Sequence, residues 1–149
     1  MFELINNKKE KYAVTDIEYL LQFDGCSKGN PGKAGSGAVI YKNKTEIWGK
    51  SLFVGNKNTN NEAEYTGLII GLEEAIDMGI KNLCVEGDSL LVINQMTGKY
   101  KVKSENLILL YNKAKELERE FDVIIYNHIY RNLNKRADEL SNLALIQDN

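Results

Sequence analysis

The chain has 149 residues, a length that suits one domain built around one core. Hydrophobic residues make up 43% and charged residues 27%, a balance that argues against disorder throughout the chain. The formal net charge of −2 excludes a protein that binds nucleic acid by bulk positive charge, but it leaves room for local basic patches. No apolar stretch is long enough to span a membrane.

Residues 1–16 are polar and mixed in charge, which predicts an N-terminal extension in front of a domain over residues 17–149. The two cysteines, Cys26 and Cys84, lack the paired spacing of a metal site, and no signal peptide is visible. They are therefore expected to be free thiols in a reducing cytoplasm.

The first half of the domain predicts an antiparallel meander of three strands, over Glu18–Phe23, Gly37–Asn43 and Thr45–Val54. The Asn-Lys pair between the last two allows a tight turn. The stretch between the first two, DGCSKGNPGKAGSG, predicts a glycine-rich loop that begins beside the carboxylate of Asp24.

In the second half, helical and strand patterns alternate. The predicted elements are a helix over Asn61–Met78, a strand over Asn82–Asp88, a short helix over Ser89–Met96, a helix over Ser104–Phe121, a strand over Asp122–Tyr130 and a helix over Lys135–Ile146 capped by Asn134. This order predicts an α/β fold with a five-stranded mixed sheet flanked by helices. The fourth and fifth strands would run parallel to the first, because helical crossovers join them.

Four acidic residues are placed where they can meet. Asp24 and Asp88 each end a strand, and the two strands are expected to be parallel neighbours at a switch point of the sheet. Glu64 lies on the inward stripe of the first helix, whereas Glu62 lies on a stripe that looks solvated. Asp138 lies near the start of the last helix.

Taken singly, each acid is explained by solvent or by a helix N-terminus. Together, clustered carboxylates repel one another unless a cation neutralises them or their pKa values rise. Oxygen ligands without clustered Cys or His suit Mg²⁺ or Mn²⁺ rather than zinc. Two such ions, about 3.5–4 Å apart, would activate water and stabilise the leaving oxygen of a phosphodiester.

At this point the sequence resembles the type 1 ribonuclease H family. Four motifs carry the resemblance in the right order between Glu18 and Ala144: FDGCSKGNPGKAGSG, TNNEAEY, EGDSLLVINQ and HIYRNLNKRADELSNLAL. The resemblance implies a monomeric endonuclease that hydrolyses the RNA strand of an RNA–DNA hybrid and leaves 5′-phosphate and 3′-hydroxyl ends. Double-stranded RNA is left open as a further substrate.

The resemblance also implies roles for individual residues. Asp24 would bridge two Mg²⁺ ions, with Mn²⁺ as a possible substitute, while Glu64 and Asp88 complete the site on the RNA strand and Asp138 helps hold the ion that activates water. Contacts to the hybrid are implied for Gly25, Cys26, Ser27, Asn30 and Asn61, and contacts to a DNA phosphate for Thr59, Asn30 and Lys57.

His128 would assist proton transfer and product release, or it would simply end a strand. In the second case Arg131 would supply positive charge near the scissile phosphate. The extra basic helix of some members is missing, and only Lys99, Lys101 and Lys103 stand in its place, as a phosphate-contacting patch or as a solvated loop.

Three rival interpretations remain beside the ribonuclease. A module that binds nucleic acid without cutting it is disfavoured because all four acids are present, and another two-metal nuclease of the same fold is disfavoured by the NPG and TNNEAEY motifs. A calcium-binding loop at Asp24 fails because Cys26 and Lys28 occupy positions that need oxygen ligands.

Overall fold

The computed structural model describes residues 16–147, so all of the predicted N-terminal extension except Asp16 lies outside the described residues. The described chain forms five strands, four α-helices and a short 3-10 helix over Arg131–Leu133. Their bounds are β1 Tyr19–Lys28, β2 Gly32–Lys42, β3 Thr45–Asn58, α1 Asn60–Asp77, β4 Asn82–Gly87, α2 Leu90–Met96, α3 Glu105–Glu118, β5 Val123–His128 and α4 Lys135–Gln147.

The strands form one sheet in the order β3-β2-β1-β4-β5. Strands β1, β2 and β3 pair antiparallel, and β4 pairs parallel with both β1 and β5. The predicted mixed sheet, with its antiparallel meander and two parallel strands, is therefore confirmed. Its switch point lies at β1, which has an antiparallel neighbour on one side and a parallel neighbour on the other.

The glycine-rich stretch is mostly strand, so the prediction of a long loop there is wrong. β1 continues to Lys28 and β2 begins at Gly32, with cross-strand pairs from Asp24↔Gly37 to Lys28↔Lys33. Only residues 29–31 form the turn, where Gly29 has φ +107° and the Asn30–Pro31 peptide is cis. Gly25, Gly35 and Gly37 obscured the strand pattern because each lies in a strand where a Cβ would meet the backbone of a packed helix.

Alternate residues of β1 face different layers. Leu21 and Phe23 belong to the main core, which lies beneath α1, α2 and α3. The opposite face of the sheet is covered by α4, whose Ala137 and Leu140 pack against Val39. Close packing on this side depends on the glycines of β2, since a Cβ at Gly37 would lie 2.3 Å from the carbonyl oxygen of Ala137.

Candidate active site

The sheet register brings Asp24 and Asp88 together. The last pair between the parallel strands β1 and β4 is Phe23↔Gly87, and each acid is the next residue of its chain. Asp24 was expected to end its strand, but β1 continues to Lys28 alongside β2. What ends at Asp24 is the pairing with β4, and the two carboxylates lie where these strands diverge.

Glu64 reaches the same point from α1 because Gly25 allows the helix to approach β1 closely. A Cβ at Gly25 would lie 2.2 Å from the carbonyl carbon of Ala63 and 2.3 Å from the backbone nitrogen of Glu64. The missing side chain of Gly25 makes room for the turn of α1 that carries Glu64.

Asp24, Glu64 and Asp88 each offer one carboxylate oxygen, and these three oxygens lie within 4.8 Å of one another. Asp24 is 5% exposed and Glu64 is 8% exposed. The Oε1 atom of Glu64 is buried and has no hydrogen-bond partner within residues 16–147. An unpaired buried carboxylate oxygen lowers the stability of the fold, so we expect a cation or a proton to bind this atom.

The pKa values of all three carboxyls are raised. Burial, followed by the charge of Asp88, raises the pKa of Asp24 to about 7. Burial and the charge of Asp24 hold the pKa of Glu64 well above its usual range. Burial also raises the pKa of Asp88, although the hydrogen bond from Asn134 acts in the opposite direction.

Asp138 lies in the first turn of α4, on the flank of this cluster. Its carboxyl is close enough to Asp24 and Asp88 to contribute to the raised pKa of each. Its Oδ1 accepts a hydrogen bond of 3.2 Å from Asn142 Nδ2, and its backbone N–H donates to Asn134 O at 3.1 Å. Asp138 is not part of the trio whose oxygens lie within 4.8 Å of one another.

The donor set fits a hard divalent cation. Three clustered carboxylates, one with an orphaned buried oxygen, would be neutralised by Mg²⁺ or Mn²⁺, both of which prefer oxygen ligands. Without a cation, the same cluster has to retain protons, as the raised pKa values indicate.

The turn between β1 and β2 is tied to the start of α1 by two asparagines. Ser27 N–H donates to Asn60 Oδ1 at 2.7 Å, and Asn60 N–H donates to Asn30 Oδ1 at 2.9 Å. Ser27 Oγ also donates to the carbonyl of Asn58 at 2.7 Å. Asn30 itself is exposed, and this hydrogen bond holds it beside the α1 N-terminus.

Other residues expected to contact substrate surround that N-terminus. Thr59 is the N-cap of α1, and its hydroxyl accepts from Glu62 N–H at 3.1 Å in a capping box. Glu62 returns the bond by accepting from Thr59 N–H at 2.7 Å, so this glutamate caps the helix and is not simply solvated. Asn61 is partly exposed in the first turn, and Lys57 is exposed near the end of β3.

Cys26 is half-buried on the α4 side of β1 and contacts the carbonyl oxygen of Ser141 at 3.6 Å. Burial raises the pKa of its thiol. A protonated thiol is a poor nucleophile, so the side chain of Cys26 serves as a small packing group beside the cluster.

His128 is the last residue of β5 and is exposed, which confirms that it ends a strand. Its Nε2 lies 3.2 Å from the carbonyl oxygen of Asp88, and its ring meets Tyr130 edge-on with centroids 5.7 Å apart. His128 therefore lies next to the carboxylate cluster. Arg131 is also exposed and acts on Asp88 as a nearby positive charge.

A polar pair beneath the cluster was missed from the sequence. Gln22 Nε2 donates to Glu86 Oε1 at 2.8 Å and lies within 3.4 Å of the carbonyl of Leu133. Strand alternation could have found this pair, because Gln22 shares a face with Asp24 and Glu86 shares one with Asp88. It gives the acids a polar layer beneath them in place of an apolar one.

Asn134 was expected to cap α4 with its side chain, and the structure corrects this. Its Nδ2 points back into the sheet and donates to the carbonyl of Phe23 at 2.9 Å, while Asp88 Oδ2 lies 3.5 Å away. Only the backbone carbonyl of Asn134 takes part in the start of α4, by accepting from Asp138 N–H. Sequence spacing alone could not distinguish these two roles.

Comparison with known proteins places this geometry in a family. A family model described as reverse transcriptase-like matches residues 22–144. The N-terminal RNase H domain of Rv2228c from Mycobacterium tuberculosis is 40% identical and superposes with a TM-score of 0.84, over 88% of this chain and 95% of that one. The chain belongs to the type 1 ribonuclease H family.

Two further members of the family are similar over most of the domain. Ribonuclease HI of Halobacterium salinarum is 40% identical over 83% of this chain and 62% of its own length. LC11-RNase H1, solved in complex with an RNA/DNA hybrid, is 35% identical with a TM-score of 0.82, over 87% of this chain and 98% of that one.

The full-length bifunctional protein Rv2228c is 40% identical over 87% of this chain, which spans only 36% of that protein's length. Two kinds of helix are missing from the described residues. Within residues 16–147, no helix lies between α2 and α3, so the described chain lacks the extra basic helix. None of its described helices has the length and apolar character needed to cross a bilayer.

Proposed function

We propose that this protein is an endoribonuclease that hydrolyses the RNA strand of RNA–DNA hybrids and leaves 5′-phosphate and 3′-hydroxyl ends. The observation that carries the proposal is the meeting of Asp24, Glu64 and Asp88 within 4.8 Å at the sheet's switch point, in a member of the ribonuclease H family. That LC11-RNase H1 was solved with an RNA/DNA hybrid supports the choice of substrate.

Asp24, Glu64, Asp88 and Asp138 would hold the divalent ions, with Mg²⁺ as the expected metal and Mn²⁺ as a substitute. When bound, these ions would supply the Lewis acid that activates water and neutralises charge on the departing oxygen. The protein's part is to orient the four carboxylates toward the ions, while the burial of Asp24 and Glu64 favours protons until a cation binds.

The start of α1 and the β1–β2 turn would bind the hybrid. Asn30 and Lys57 are exposed there, and residues 25–27 connect Asp24 to this turn along the chain. Asn30, Asn61 and the backbone near Cys26 and Ser27 are proposed to contact the minor groove, with Thr59 and Lys57 near a DNA phosphate. Gly25 contributes through its backbone and through the approach of α1.

His128 is proposed to pass a proton during turnover, since its exposed imidazole lies beside the backbone of Asp88. Arg131 is the alternative source of positive charge at this position. We expect a monomeric, cytoplasmic enzyme, and the free thiols of Cys26 and Cys84 fit a reducing compartment.

The test is a cleavage assay with labelled RNA–DNA hybrid, RNA duplex and DNA duplex, in Mg²⁺, Mn²⁺ or EDTA. We expect cleavage of the hybrid that EDTA stops and that Asp24→Asn abolishes. The RNA duplex arm decides whether double-stranded RNA is a second substrate. Binding of intact hybrid without cleavage in either metal would replace the enzyme with a nucleic-acid-binding module.

A further inference from the structure

Asn134 is a buried polar residue beside the four carboxylates, and no role has yet been assigned to its side chain. It is 0% exposed, although it precedes α4 in a connection whose neighbours Leu133 and Lys135 are exposed. A short polar side chain at this point of a chain normally caps the helix. Here it is buried at the end of the sheet instead, where its side chain contacts Phe23 in β1 and Asp88 just after β4.

The contacts fix the orientation of its amide. Nδ2 lies 2.9 Å from the carbonyl oxygen of Phe23 and 3.5 Å from Asp88 Oδ2, so both neighbours are acceptors. A reversed amide would place oxygen against both of them, which leaves only the donor orientation. The shorter bond anchors Asn134 to β1 one residue before Asp24, and the longer one reaches the outer limit of a hydrogen bond to Asp88.

The other end of the amide is unusual for a residue that serves stability alone. Asn134 Oδ1 is buried and has no hydrogen-bond partner among the described residues. A buried acceptor without a partner destabilises the fold, and such groups are uncommon in native proteins. We therefore expect the contacts of Nδ2 to be the reason for an asparagine here, since the unpaired Oδ1 destabilises the fold.

The backbone of Asn134 adds a third connection. Its carbonyl accepts from Asp138 N–H at 3.1 Å, which fixes the first turn of α4 relative to the same asparagine. Asn134 is thus hydrogen-bonded to β1 next to Asp24, it contacts Asp88, and its backbone is bonded to Asp138. These three acids come from chain segments far apart in the sequence.

We infer that Asn134 is a positioning residue that orients Asp88 and sets the start of α4 for binding of divalent metal. The inference rests on the proposed function, since it concerns the metal ligands of that site. Partners that hydrogen-bond to metal ligands commonly change metal affinity by 10–100-fold when they are removed. Asn134→Ala should therefore weaken binding of Mn²⁺ at least about tenfold.

The experiment measures the dissociation constant of Mn²⁺ by calorimetry in the absence of substrate, together with the melting temperature in EDTA. Ser51→Ala is the matched control, because it removes a 2.6 Å hydrogen bond from β3 to the carbonyl of Leu140 in α4 without touching a carboxylate. Both variants should melt at lower temperature, but only Asn134→Ala should lose metal affinity. If the alanine variant does not fold, the same measurements are made on Asn134→Ser.

An unchanged Mn²⁺ affinity in a folded Asn134 variant would overturn the inference and leave Asn134 a structural residue. Equal losses of affinity in Asn134→Ala and Ser51→Ala would also overturn it, because general loosening of α4 would then be sufficient. Hybrid cleavage by the wild-type protein is measured separately. A wild type that binds Mn²⁺ but cuts no hybrid would refute the proposed function and leave the role of Asn134 in metal binding intact.

Discussion

Asp24 is a buried acid with two other acids close to it. It is 5% exposed, it has Glu64 and Asp88 beside it, and its pKa is raised to about 7 from an ordinary value of 3.8. The unfolded chain loses this proton near its ordinary pKa. Between about pH 4 and pH 7 the folded, metal-free protein therefore binds more protons than the unfolded chain, and the free energy of unfolding falls as pH rises.

Asp24→Asn should consequently stabilise the metal-free protein, and more strongly at pH 8 than at pH 5. The amide removes a buried charge that the fold tolerates poorly, a gain of up to about 3–4 kcal/mol once the wild-type carboxyl is ionised. Melting temperatures of both proteins in EDTA across this range check the prediction. A difference that does not grow with pH would contradict the raised pKa of Asp24.

His128 supports a second prediction at the scale of single residues. If its imidazole transfers a proton, His128→Ala should slow hybrid turnover about tenfold or more, because general acid–base groups contribute factors of that size or larger. The exposed ring can be removed at little cost to the fold. Rates measured at saturating hybrid decide the matter, and an unchanged rate would assign His128 a purely structural part.

Among the elements, the close packing of α1 against β1 matters most for the site. Glu64 is carried by α1 and Asp24 by β1, and the two elements approach closely only because residue 25 lacks a side chain. The capping box of Thr59 and Glu62 fixes where α1 begins, and therefore which of its residues faces the sheet end. Asn60 holds the same helix start against the end of β1 by accepting a hydrogen bond from Ser27 N–H.

Gly25→Ala should therefore damage both stability and metal binding. Its Cβ would meet backbone atoms of α1 at 2.2–2.6 Å, which cannot be relieved by moving a flexible side chain. We expect a loss of about 3 kcal/mol or more in the free energy of unfolding, with weaker Mn²⁺ binding as Glu64 is displaced.

Gly79→Ala is the control for that substitution. Gly79 has φ +76°, and a Cβ there would meet nothing within 4 Å, so the cost is backbone strain of about 1 kcal/mol without any effect on metal. Denaturant unfolding and calorimetry separate the two variants. Similar losses of stability, with metal binding intact in both, would show that Gly25 is not needed for the approach of α1.

At the scale of the molecule, the site joins both layers of the fold at one end of the sheet. Glu64 comes from the helix over the main core, while Asp138 comes from α4 on the opposite face. Mutual repulsion of these acids opposes folding, and a divalent ion would remove it. Metal binding is therefore expected to be coupled to the stability of the whole domain.

Saturating Mg²⁺ or Mn²⁺ should raise the melting temperature, by about 5–10 °C at a hundredfold excess over the dissociation constant. At one fixed metal concentration the rise should be larger at pH 8 than at pH 6, because protons compete with metal for carboxyls of raised pKa and so weaken metal binding at the lower pH. Thermal melts with and without EDTA measure it, and Asp24→Asn is the control. An identical rise in that variant would place the metal elsewhere.

The sequence by itself determined most of the elements, the order of the motifs and the three acids that meet, Asp24, Glu64 and Asp88. These follow from local patterns: helical spacing marked the inward stripe of Glu64, and strand alternation put Asp24 and Asp88 on faces that could meet. The family resemblance rested on the same residues. These patterns did not predict the strands of the glycine-rich stretch, because glycine adds nothing to a hydrophobic pattern even when it lies in a strand.

Only the tertiary structure decided what each glycine and asparagine does. Gly25 is required by a helix that lies 38 residues further along the chain, at Ala63. Asn134 looks like a cap in the sequence, yet its amide bonds to Phe23, which is separated from it by 111 positions. Such roles depend on packing between segments that are distant in the sequence, and a local sequence pattern does not describe that packing.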